Sequence, residues 1–407
     1  MMWEKVKLGD IATCIQPGPF GSQLHNSDYS KEGTPIIMPK DIVGGAIVHS
    51  GLLKVSEEHV KRLSRHQVYE GNLMVARKGD VRKCAYITAN ENGWMTGSDC
   101  LKVVLDESKC YPKFIYYQLR SEHIGRWLEK VSIGATMPSL NTGLLSGIEM
   151  VLPPIEIQKQ IAGILSAYDD LIENNQKQIK LLEEAAQRLY KEWFVDLHIP
   201  GHENTKIVDG VPEGWRVASI ADICDTVGGG TPSTKIQSYY EKGDILWVTP
   251  TDITRNFSLA LLDTEKKITP EGLKNSSAKM LPAETILMTS RASVGFFGMC
   301  KYEVCTNQGF ISCIPKRENL QMYLLFNLKS RVEEIRQKAG GSTYLEISKT
   351  VFRELKIILP KDEVLAEYQK NVHDIFDEIY CRTEMIKSLV DMRNRLLPKL
   401  MSGEVEV

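Results

Sequence analysis

The side chains best suited to chemistry in this sequence are hydrogen-bonding groups in two sets of glycine- and proline-rich segments. Guanidinium, amide and hydroxyl groups on loops can pair with the edges of DNA bases, and cationic groups can bind phosphates. The first set is Ser22, Gln23, Lys40, Arg77 and Lys78. The second set is Thr231, Ser233, Thr234, Thr249, Thr251, Arg291, Asn307 and Gln308. The two sets are therefore candidates for two separate surfaces that bind DNA.

A purely structural role for these segments is the alternative. Glycine and proline are also the usual residues of tight turns. Asp41 and Asp252, which recur at matching positions, are expected to brace their loops. Arg77 and Arg291 could each contact a phosphate or a base, and the sequence leaves both roles open.

Patterns typical of catalysis and of metal binding are absent from the sequence. The glycine-rich segment 228–232 lacks the spacing of a nucleotide-binding P-loop, and no Asn-Pro-Pro-aromatic methyltransferase motif occurs. The nine cysteines contain no C-x-x-C pair, so we expect free thiols and no zinc site. His198 and His202 are separated by a Pro-Gly pair that interrupts a helix. We predict a non-catalytic protein with no metal site or cofactor of its own.

The two sets of loops belong to an internal repeat, which a comparison of the chain with itself reveals. Trp3 matches Trp215 at a shift of 212. Segment 39–42 matches 250–253 at 211, segment 73–77 matches 287–291 at 214, and segment 152–153 matches 359–360 at 207. Short loop insertions account for the small drift in the shift.

A long amphipathic helix is predicted after each globular part, following Pro154 and Pro360. Apolar residues recur there with alternating steps of four and three, the spacing of a coiled-coil seam. The first seam is Ile161, Leu165, Tyr168, Ile172, Asn175, Ile179, Leu182, Ala186, Leu189 and Trp193. A shift of 207 gives the second: Tyr368, Val372, Ile375, Ile379, Arg382, Ile386, Leu389, Arg393, Leu396 and Leu400.

The two helices could bury their seams against each other or, alternatively, each against its own domain. We predict antiparallel pairing within one chain, because a duplicated unit that folds back on itself brings its two helices together. The first helix spans roughly 58 Å at about 1.5 Å per residue. The polar seam residues Asn175 and Arg382 are predicted to set the helix register.

Charge is divided between the globular parts and the helices. The chain carries a net −2, but segments 1–153 and 199–360 are each +2, whereas segments 154–198 and 361–407 are each −3. Because acidic helices repel phosphates, DNA is expected on the globular parts. The basic clusters are 61–62, 65–66, 77–78 and 82–83, and then Lys266, Lys267, Lys274, Lys279 and Arg291. Such weakly basic domains are predicted to need a cationic partner for tight DNA binding.

The sequence gives no sign of a membrane segment or of a signal peptide. Its apolar runs are far shorter than the roughly 20 residues that cross a bilayer. The N-terminal residues lead directly into a strand-like segment. We expect a cytoplasmic protein.

Several motifs resemble those of a known family. Segment 18–24, Gly-Pro-Phe-Gly-Ser-Gln-Leu, followed by 28–29, 33–37 and 40–42, resembles the opening of a target recognition domain in the specificity subunit of type I restriction-modification systems. Segments 229–234, 239–240 and 247–253 resemble the same opening in the second copy. Segment 134–141, followed by 152–158, is similar to the start of that family's central helical region.

The resemblance implies an α+β fold with a pseudo-twofold internal repeat. Two target recognition domains, 1–153 and 199–360, would be joined by two helical spacers, 154–198 and 361–407, that form an antiparallel coiled coil. It also implies a non-catalytic subunit that recognises a bipartite, asymmetric site on double-stranded DNA. The implied partners are two methyltransferase subunits, which methylate adenine with S-adenosylmethionine, and restriction subunits, which cleave unmodified DNA using ATP and magnesium.

The second copy departs from the family's pattern. It lacks Pro-Pro-x-Glu, having Leu-Pro-Lys-Asp-Glu at 359–363, and its loop 340–343 has no matching proline. Partner contacts are therefore expected to be weaker or rearranged there. The alternative function is a stand-alone DNA-binding or scaffolding regulator with two binding domains, which would bind DNA tightly by itself.

Overall fold

The computed structural model describes residues 3–132, 138–201, 206–208, 211–341 and 344–407. The chain divides into two compact units. The first comprises Met1–Asp170 and Val390–Val407, and the second comprises Leu171–Leu389. Each unit combines helices with β-sheets, which confirms the predicted α+β class. Within the described residues, no helix is long and apolar enough to cross a membrane.

The first unit contains two four-stranded sheets. One is antiparallel, in the order Ala12–Pro17, Cys100–Leu105, Leu73–Ala76 and Cys84–Tyr86. The other has the order Met95–Thr96, Thr34–Ile37, Leu53–Val55 and Tyr29–Ser30, and its first pair is parallel. Two-stranded ladders join Glu4–Lys7 to Glu149–Leu152 and Ile42–Val43 to Ala46–Ile47. The short α-helices are Leu8–Ile11, Glu57–Arg62, Pro112–Leu119, Glu122–Val131 and Thr142–Ser146.

The second unit repeats this organisation. Its four-stranded antiparallel sheet has the order Cys224–Val227, Phe310–Pro315, Ile286–Thr289 and Phe297–Gly298. A three-stranded sheet has the order Lys267–Ile268, Ile245–Val248 and Cys305–Thr306. Two-stranded ladders join Arg216–Ser219 to Lys356–Leu359 and Ile207–Val208 to Val211–Pro212. The short α-helices are Ile220–Ile223, Pro250–Thr254, Pro270–Lys274, Gln321–Ser330, Val332–Gln337 and Lys349–Arg353.

Matching central strands show why the same sheet forms in both units. Leu73–Ala76 and Ile286–Thr289 are buried along their whole length. Because such strands are covered on both faces, they read as continuous apolar runs and not as alternating ones. Each pairs on one side with the antiparallel strand that follows it and on the other side with a six-residue strand, Cys100–Leu105 or Phe310–Pro315. The loops that leave these strands carry the predicted residues Arg77, Lys78 and Arg291.

The first long helix is Ile155–Phe194 and the second is Asp362–Ser402, of 40 and 41 residues. In the first unit, Ile161 and Leu165 share a core with Leu400. In the second unit, the Trp193 ring lies 5.7 Å from the Tyr368 ring, measured between centroids. Early positions of one helix therefore meet late positions of the other, which confirms antiparallel pairing.

The helices also pack on the globular parts, so the two arrangements considered from the sequence coexist. Ile161 belongs to the same buried cluster as Phe114 of the first unit. In the second unit, the Glu183 carboxylate accepts a hydrogen bond of 2.7 Å from the Leu259 amide. The Asn327 amide donates to the Tyr190 hydroxyl at 2.7 Å. Each globular part is thereby anchored to its segments of helix.

Candidate nucleic-acid interface

Main-chain hydrogen bonds tie three loops of the second unit to a fourth, segment 306–309, where its strands end. They run from Gly230 N to Thr306 O (2.9 Å), from Asn307 N to Val248 O (3.0 Å) and from Ser290 N to Gly309 O (2.8 Å). The loops that carry the predicted residues Thr231, Thr249, Arg291, Asn307 and Gln308 thus lie side by side. One surface of the second unit therefore contains most of its predicted site.

The predicted residues of this surface divide into loop braces and exposed groups. The Thr249 hydroxyl donates to Asp252 at 2.6 Å, and Asn307 Oδ1 accepts from the Gly309 amide at 2.8 Å. These two side chains shape their own loops. The exposed group is Ser233, Thr234, Thr251, Arg291 and Gln308, and the half-buried Thr231 donates a hydrogen bond to Gln308.

The first unit has the same loop arrangement. Its bonds run from Gly18 N to Cys100 O (3.0 Å), from Gly97 N to Ile37 O (2.9 Å) and from Arg77 N to Asp99 O (2.7 Å). They join the loops that carry the predicted residues Ser22, Gln23, Lys40, Arg77 and Lys78. The structure thus presents two loop surfaces built in the same way.

The side chains on the first surface are mostly open to solvent. Ser22 is exposed and Gln23 is half-buried, within a short 3₁₀-helix, Gly21–Gln23. Lys40 is 62% exposed and lies 4.0 Å from the Asp41 carboxylate. Lys78 forms an ion pair of 3.0 Å with Asp99. The Arg77 guanidinium carbon lies 5.6 Å from the centroid of the Phe20 ring.

Asp41 and Asp252 brace their loops, as the structural interpretation predicted. Asp41 Oδ2 accepts from the Met38 amide at 2.8 Å, and Asp252 Oδ2 accepts from the Thr249 amide at 2.7 Å. Each aspartate thereby caps the short helical turn that contains it. Their recurrence reflects loop geometry.

Two recurrent glycines allow the loops to approach each other closely. A Cβ added at Gly18 would lie 1.9 Å from Gly97 O, and one added at Gly229 would lie 2.0 Å from Thr306 O. Any larger residue would collide with main-chain atoms of the facing loop. This contact explains why both copies have glycine at this point.

The match of segment 73–77 to 287–291 is one residue out of structural register. Ala76 N donates to Lys83 O and Thr289 N donates to Phe296 O, both at 2.9 Å. The structural shift is therefore 213 and not 214. The sequence match was wrong because similar dipeptides, Ala-Arg and Ser-Arg, happen to lie one place apart.

This correction changes which residues are equivalent in the two units. Arg291 corresponds to Lys78, since each forms the isolated bridge that ends its strand, to Glu346 and Ser139 respectively. Arg77 corresponds to Ser290. The two surfaces therefore place different side chains on the same main-chain frame.

Some of the basic clusters noted in the sequence are occupied by protein contacts. Arg82 pairs with Glu122 and lies 3.4 Å from Glu129, and its hydrogen bond to Glu122 raises the pKa of Arg82. Burial, together with the neighbouring Arg65, lowers the pKa of His66 to about 4, so His66 is neutral at physiological pH. Arg82 and His66 are therefore engaged within the protein or uncharged, whereas Lys40 and Lys78 are exposed cations on the loop surface.

A family model for the type I restriction modification DNA specificity domain matches residues 2–184 and again residues 212–390. The chain belongs to this family. The specificity subunit of the type I restriction enzyme MjaIX from Methanocaldococcus jannaschii is 25% identical over all of this chain and 94% of its own length. The HindI specificity subunit from Haemophilus influenzae is 22% identical over 99% of both chains.

A crystal structure has a similar fold. The S subunit of a type I restriction-modification system from M. genitalium matches with a TM-score of 0.58 and 16% sequence identity, covering 98% of this chain and 96% of that one. The shared fold and the family match favour a specificity subunit over a stand-alone regulator. Specificity subunits recognise DNA and assemble the complex, whereas catalysis resides in partner subunits. The chain is accordingly a non-catalytic DNA-recognition subunit.

The polar seam residues of this specificity subunit contact each other in the second unit. Asn175 is 3% exposed, and its Oδ1 accepts from Arg382 Nη1 at 3.1 Å. Asn175 Nδ2 donates to Leu171 O at 2.8 Å, and Arg382 also pairs with Glu378 at 2.6 Å. Equivalent positions of the repeat thus form one hydrogen-bonded pair within the predominantly apolar seam. Their predicted role in setting the register stays a prediction.

One group of potential metal ligands occurs among the described residues: Glu284, His373 and Asp377. His373 Nε2 lies 3.1 Å from Glu284, while Nδ1 lies 3.5 Å from Asp377. The carboxylates thus approach opposite nitrogens of the ring, and Lys301 pairs with Asp377 at 2.6 Å. This arrangement is that of a polar network, with one Lys301–Asp377 ion pair, between a helix and the globular part. All nine cysteines, which lie in the described residues, are free thiols.

Two residues of the specificity subunit's loop surfaces were missed from the sequence. Ser98 corresponds to Gln308, because Gly97 and Asn307 make the equivalent main-chain bond. Phe20 is 54% exposed beside Arg77. Sequence comparison had no signal for Ser98, since the two loops share no residues. The motif residues 134–137, loop residues 342–343 and His202 lie outside the described residues.

Proposed function

We propose that this subunit recognises a bipartite, asymmetric site on double-stranded DNA, with domain 1–153 binding one half-site and domain 199–360 the other. The observation that carries the proposal is the pair of loop surfaces, which share two equivalent main-chain bonds, those of Gly97 and Asn307 and those of Arg77 and Ser290, but carry different side chains. Different donors and acceptors at equivalent places recognise different base edges. Two unlike surfaces therefore favour two unlike half-sites.

The residues proposed to contact DNA are those predicted from the sequence, with a division of roles. Lys40, Lys78 and Arg291 are exposed cations suited to phosphate or guanine. Thr249 and Asn307 would act mainly by shaping the loops, because their side chains are engaged within them. The remaining contacts are assigned to Ser22, Gln23, Arg77, Thr231, Ser233, Thr234, Thr251 and Gln308.

The helical spacers, 154–198 and 361–407, are proposed to set the gap between the half-sites. Helices of 40 and 41 residues are about 60 Å long at about 1.5 Å per residue. Half-sites on one face of DNA lie roughly 34 to 36 Å apart for each helical turn. Helices of this length are sufficient for such a spacing, and their net negative charge disfavours contact with phosphates.

The proposed partners are two methyltransferase subunits and ATP-dependent restriction subunits, assembled in the cytoplasm where the host DNA lies. S-adenosylmethionine, ATP and magnesium would bind those partners and not this chain. The weak charge of the recognition domains, +2 each, supports the need for partners, since tight DNA binding usually neutralises several phosphates. Methylation of a base requires flipping it from the stack, a task for the methyltransferase.

Sequencing of methylated adenines in cells that express the full complex tests the proposal. We expect a single split motif with two different halves. Variants in one domain should change the specificity of one half only. Absence of a split motif, or changes in both halves from a variant in one domain, would contradict the proposal, and tight specific binding by the isolated chain would favour the stand-alone regulator.

Arg291→Ala tests the second surface directly. We expect DNA binding by the assembled complex to weaken by about 1–3 kcal/mol, the usual range for a side chain that contacts a base or phosphate. Arg216→Ala, which removes an exposed cation outside both the loop surface and the basic clusters, is the matched control. Unchanged affinity and specificity of the Arg291→Ala complex would remove Arg291 from the site.

A further inference from the structure

Phe20 is an apolar side chain displayed on the first loop surface. Its ring is 54% exposed, although single aromatic side chains are usually more deeply buried. It lies between Pro19 and Gly21, and Gly21 has a φ of +62°, which directs the chain into the short turn that follows. The ring is therefore displayed by a defined turn.

The ring is also positioned by the neighbouring loop. The Arg77 guanidinium carbon lies 5.6 Å from the ring centroid, a cation–π contact. The Phe20 and Arg77 loops are both bonded to the segment 97–100, through Gly18 N to Cys100 O and Arg77 N to Asp99 O. Phe20 thus lies among the residues proposed to contact DNA, with Arg77 held against it.

The second unit has different chemistry at the equivalent place. Strands Ala12–Pro17 and Cys224–Val227 pair with matching positions of their neighbours, so Phe20 corresponds to Thr231 at a shift of 211. Thr231 donates a hydrogen bond to Gln308. One surface therefore presents a hydroxyl at the position where the other presents an aromatic ring.

We propose that Phe20 is a specificity-determining residue whose ring packs against the methyl group of a thymine in the first half-site. Apolar contact with this methyl group distinguishes thymine from the other bases in the major groove. Arg77, held beside the ring, donates hydrogen bonds to the adjacent base or phosphate. The inference rests on the proposed function, because it assumes that the loop surface binds DNA.

A uracil scan of the recognition site tests the proposal, since uracil lacks only the methyl group of thymine. Duplexes carrying the motif found by methylation sequencing, each with one thymine replaced by deoxyuridine, are titrated against the assembled complex at one fixed salt concentration. We expect one position in the first half-site where the wild-type complex loses about fourfold in affinity, the value of one buried methyl group. The Phe20→Ala complex should bind the thymine and uracil duplexes equally at that position.

Two control variants make the outcome decisive. Phe20→Leu keeps an apolar contact and should retain part of the discrimination. Phe257→Ala removes a ring that is 48% exposed elsewhere and should leave the scan unchanged. If the wild-type complex binds specifically but has no uracil-sensitive position in the first half-site, or if the sensitivity persists in Phe20→Ala, the role of Phe20 is overturned and the proposed function is not. If the wild-type complex shows no sequence-specific binding at all, the proposed function is overturned.

Discussion

Replacing Asn175 by leucine tests whether the polar pair in the helix seam sets the helix register. The substitution removes the bond from Asn175 to Leu171 O and the acceptor for Arg382. Loss of a hydrogen bond to a charged group costs about 1.5–3 kcal/mol. Because Arg382 keeps its pair with Glu378 and its side chain is 27% exposed, we expect the lower end, about 1.5 kcal/mol.

The double variant Asn175→Leu/Arg382→Leu separates stability from specificity. It removes both polar partners and leaves apolar side chains at this point of the seam, and such a replacement is often as stable as the buried polar pair. We expect the free energy of unfolding of the double variant to lie within about 1 kcal/mol of the wild-type value. The sum of the two single-variant effects should exceed the effect of the double variant by more than about 1 kcal/mol. The register should nevertheless become less well defined, because a single polar seam position commonly fixes it.

Hydrogen exchange of peptides from Leu171–Phe194 measures the local stability, and cysteines at Ile161 and Leu400 report on the register by disulfide formation. Asn174→Leu, at the exposed neighbouring position, is the control and should change stability by less than about 0.5 kcal/mol. If Asn175→Leu leaves exchange unchanged, or if the double variant crosslinks as completely as the wild type, the polar pair does not set the register.

Three further predictions concern other contacts. Burial lowers the pKa of His66 to about 4, whereas an unfolded histidine titrates near 6.5. The contribution of the neutral ring to the stability of the first unit is therefore complete above pH 6.5 and is lost as the pH falls from 6.5 to 4. Urea unfolding should show that the free energy of unfolding falls by at most about 3 kcal/mol over this range, and His66→Gln should lack this decrease. Gly229→Ala places a Cβ 2.0 Å from a main-chain oxygen and should cost about 1–3 kcal/mol by calorimetry, whereas Gly340→Ala, with open space around it, should be neutral. Asp169→Asn weakens the pairing of Arg393, whose side chain is 14% exposed, and should cost about 2 kcal/mol in urea unfolding.

Each of these predictions has a contrary outcome. An identical pH dependence in wild type and His66→Gln would show that His66 is not the titrating group. Equal melting temperatures for Gly229→Ala and wild type would show that the loops can separate without cost. An Asp169→Asn variant as stable as wild type would mean that the hydrogen bond from Tyr117 and the ion pair to Arg393 contribute little.

The repeat and the helices were predictable because their signals are local and periodic. Seam positions such as Ile161, Ile179 and Val372 are buried as predicted, since a residue's place on a helix follows directly from its spacing along the chain. The bounds of the first helix agree with prediction because Pro154 precedes it and the Pro-Gly pair at 200–201 follows it. Antiparallel pairing followed from the duplication together with these two seams.

The loop surfaces were only partly predictable, because what a loop residue does depends on residues distant in sequence. Thr249 and Asn307 were correctly placed on the surface, yet their side chains are engaged by Asp252 and the Gly309 amide. Phe20 was passed over because an apolar residue in a turn gives no local sign that it is exposed.

The sequence by itself determined that this chain is a duplicated α+β protein with two loop-bearing domains and a paired helical seam, since periodicity and repetition can be seen without coordinates. Only the tertiary structure decided which positions of the two loop surfaces are equivalent. The main-chain bonds of Ala76 and Thr289 show that the alignment of the two repeats shifts by one residue here. Arg291 is consequently equivalent to Lys78. Register between strands depends on hydrogen bonds across the sheet, which similarity along the chain cannot report.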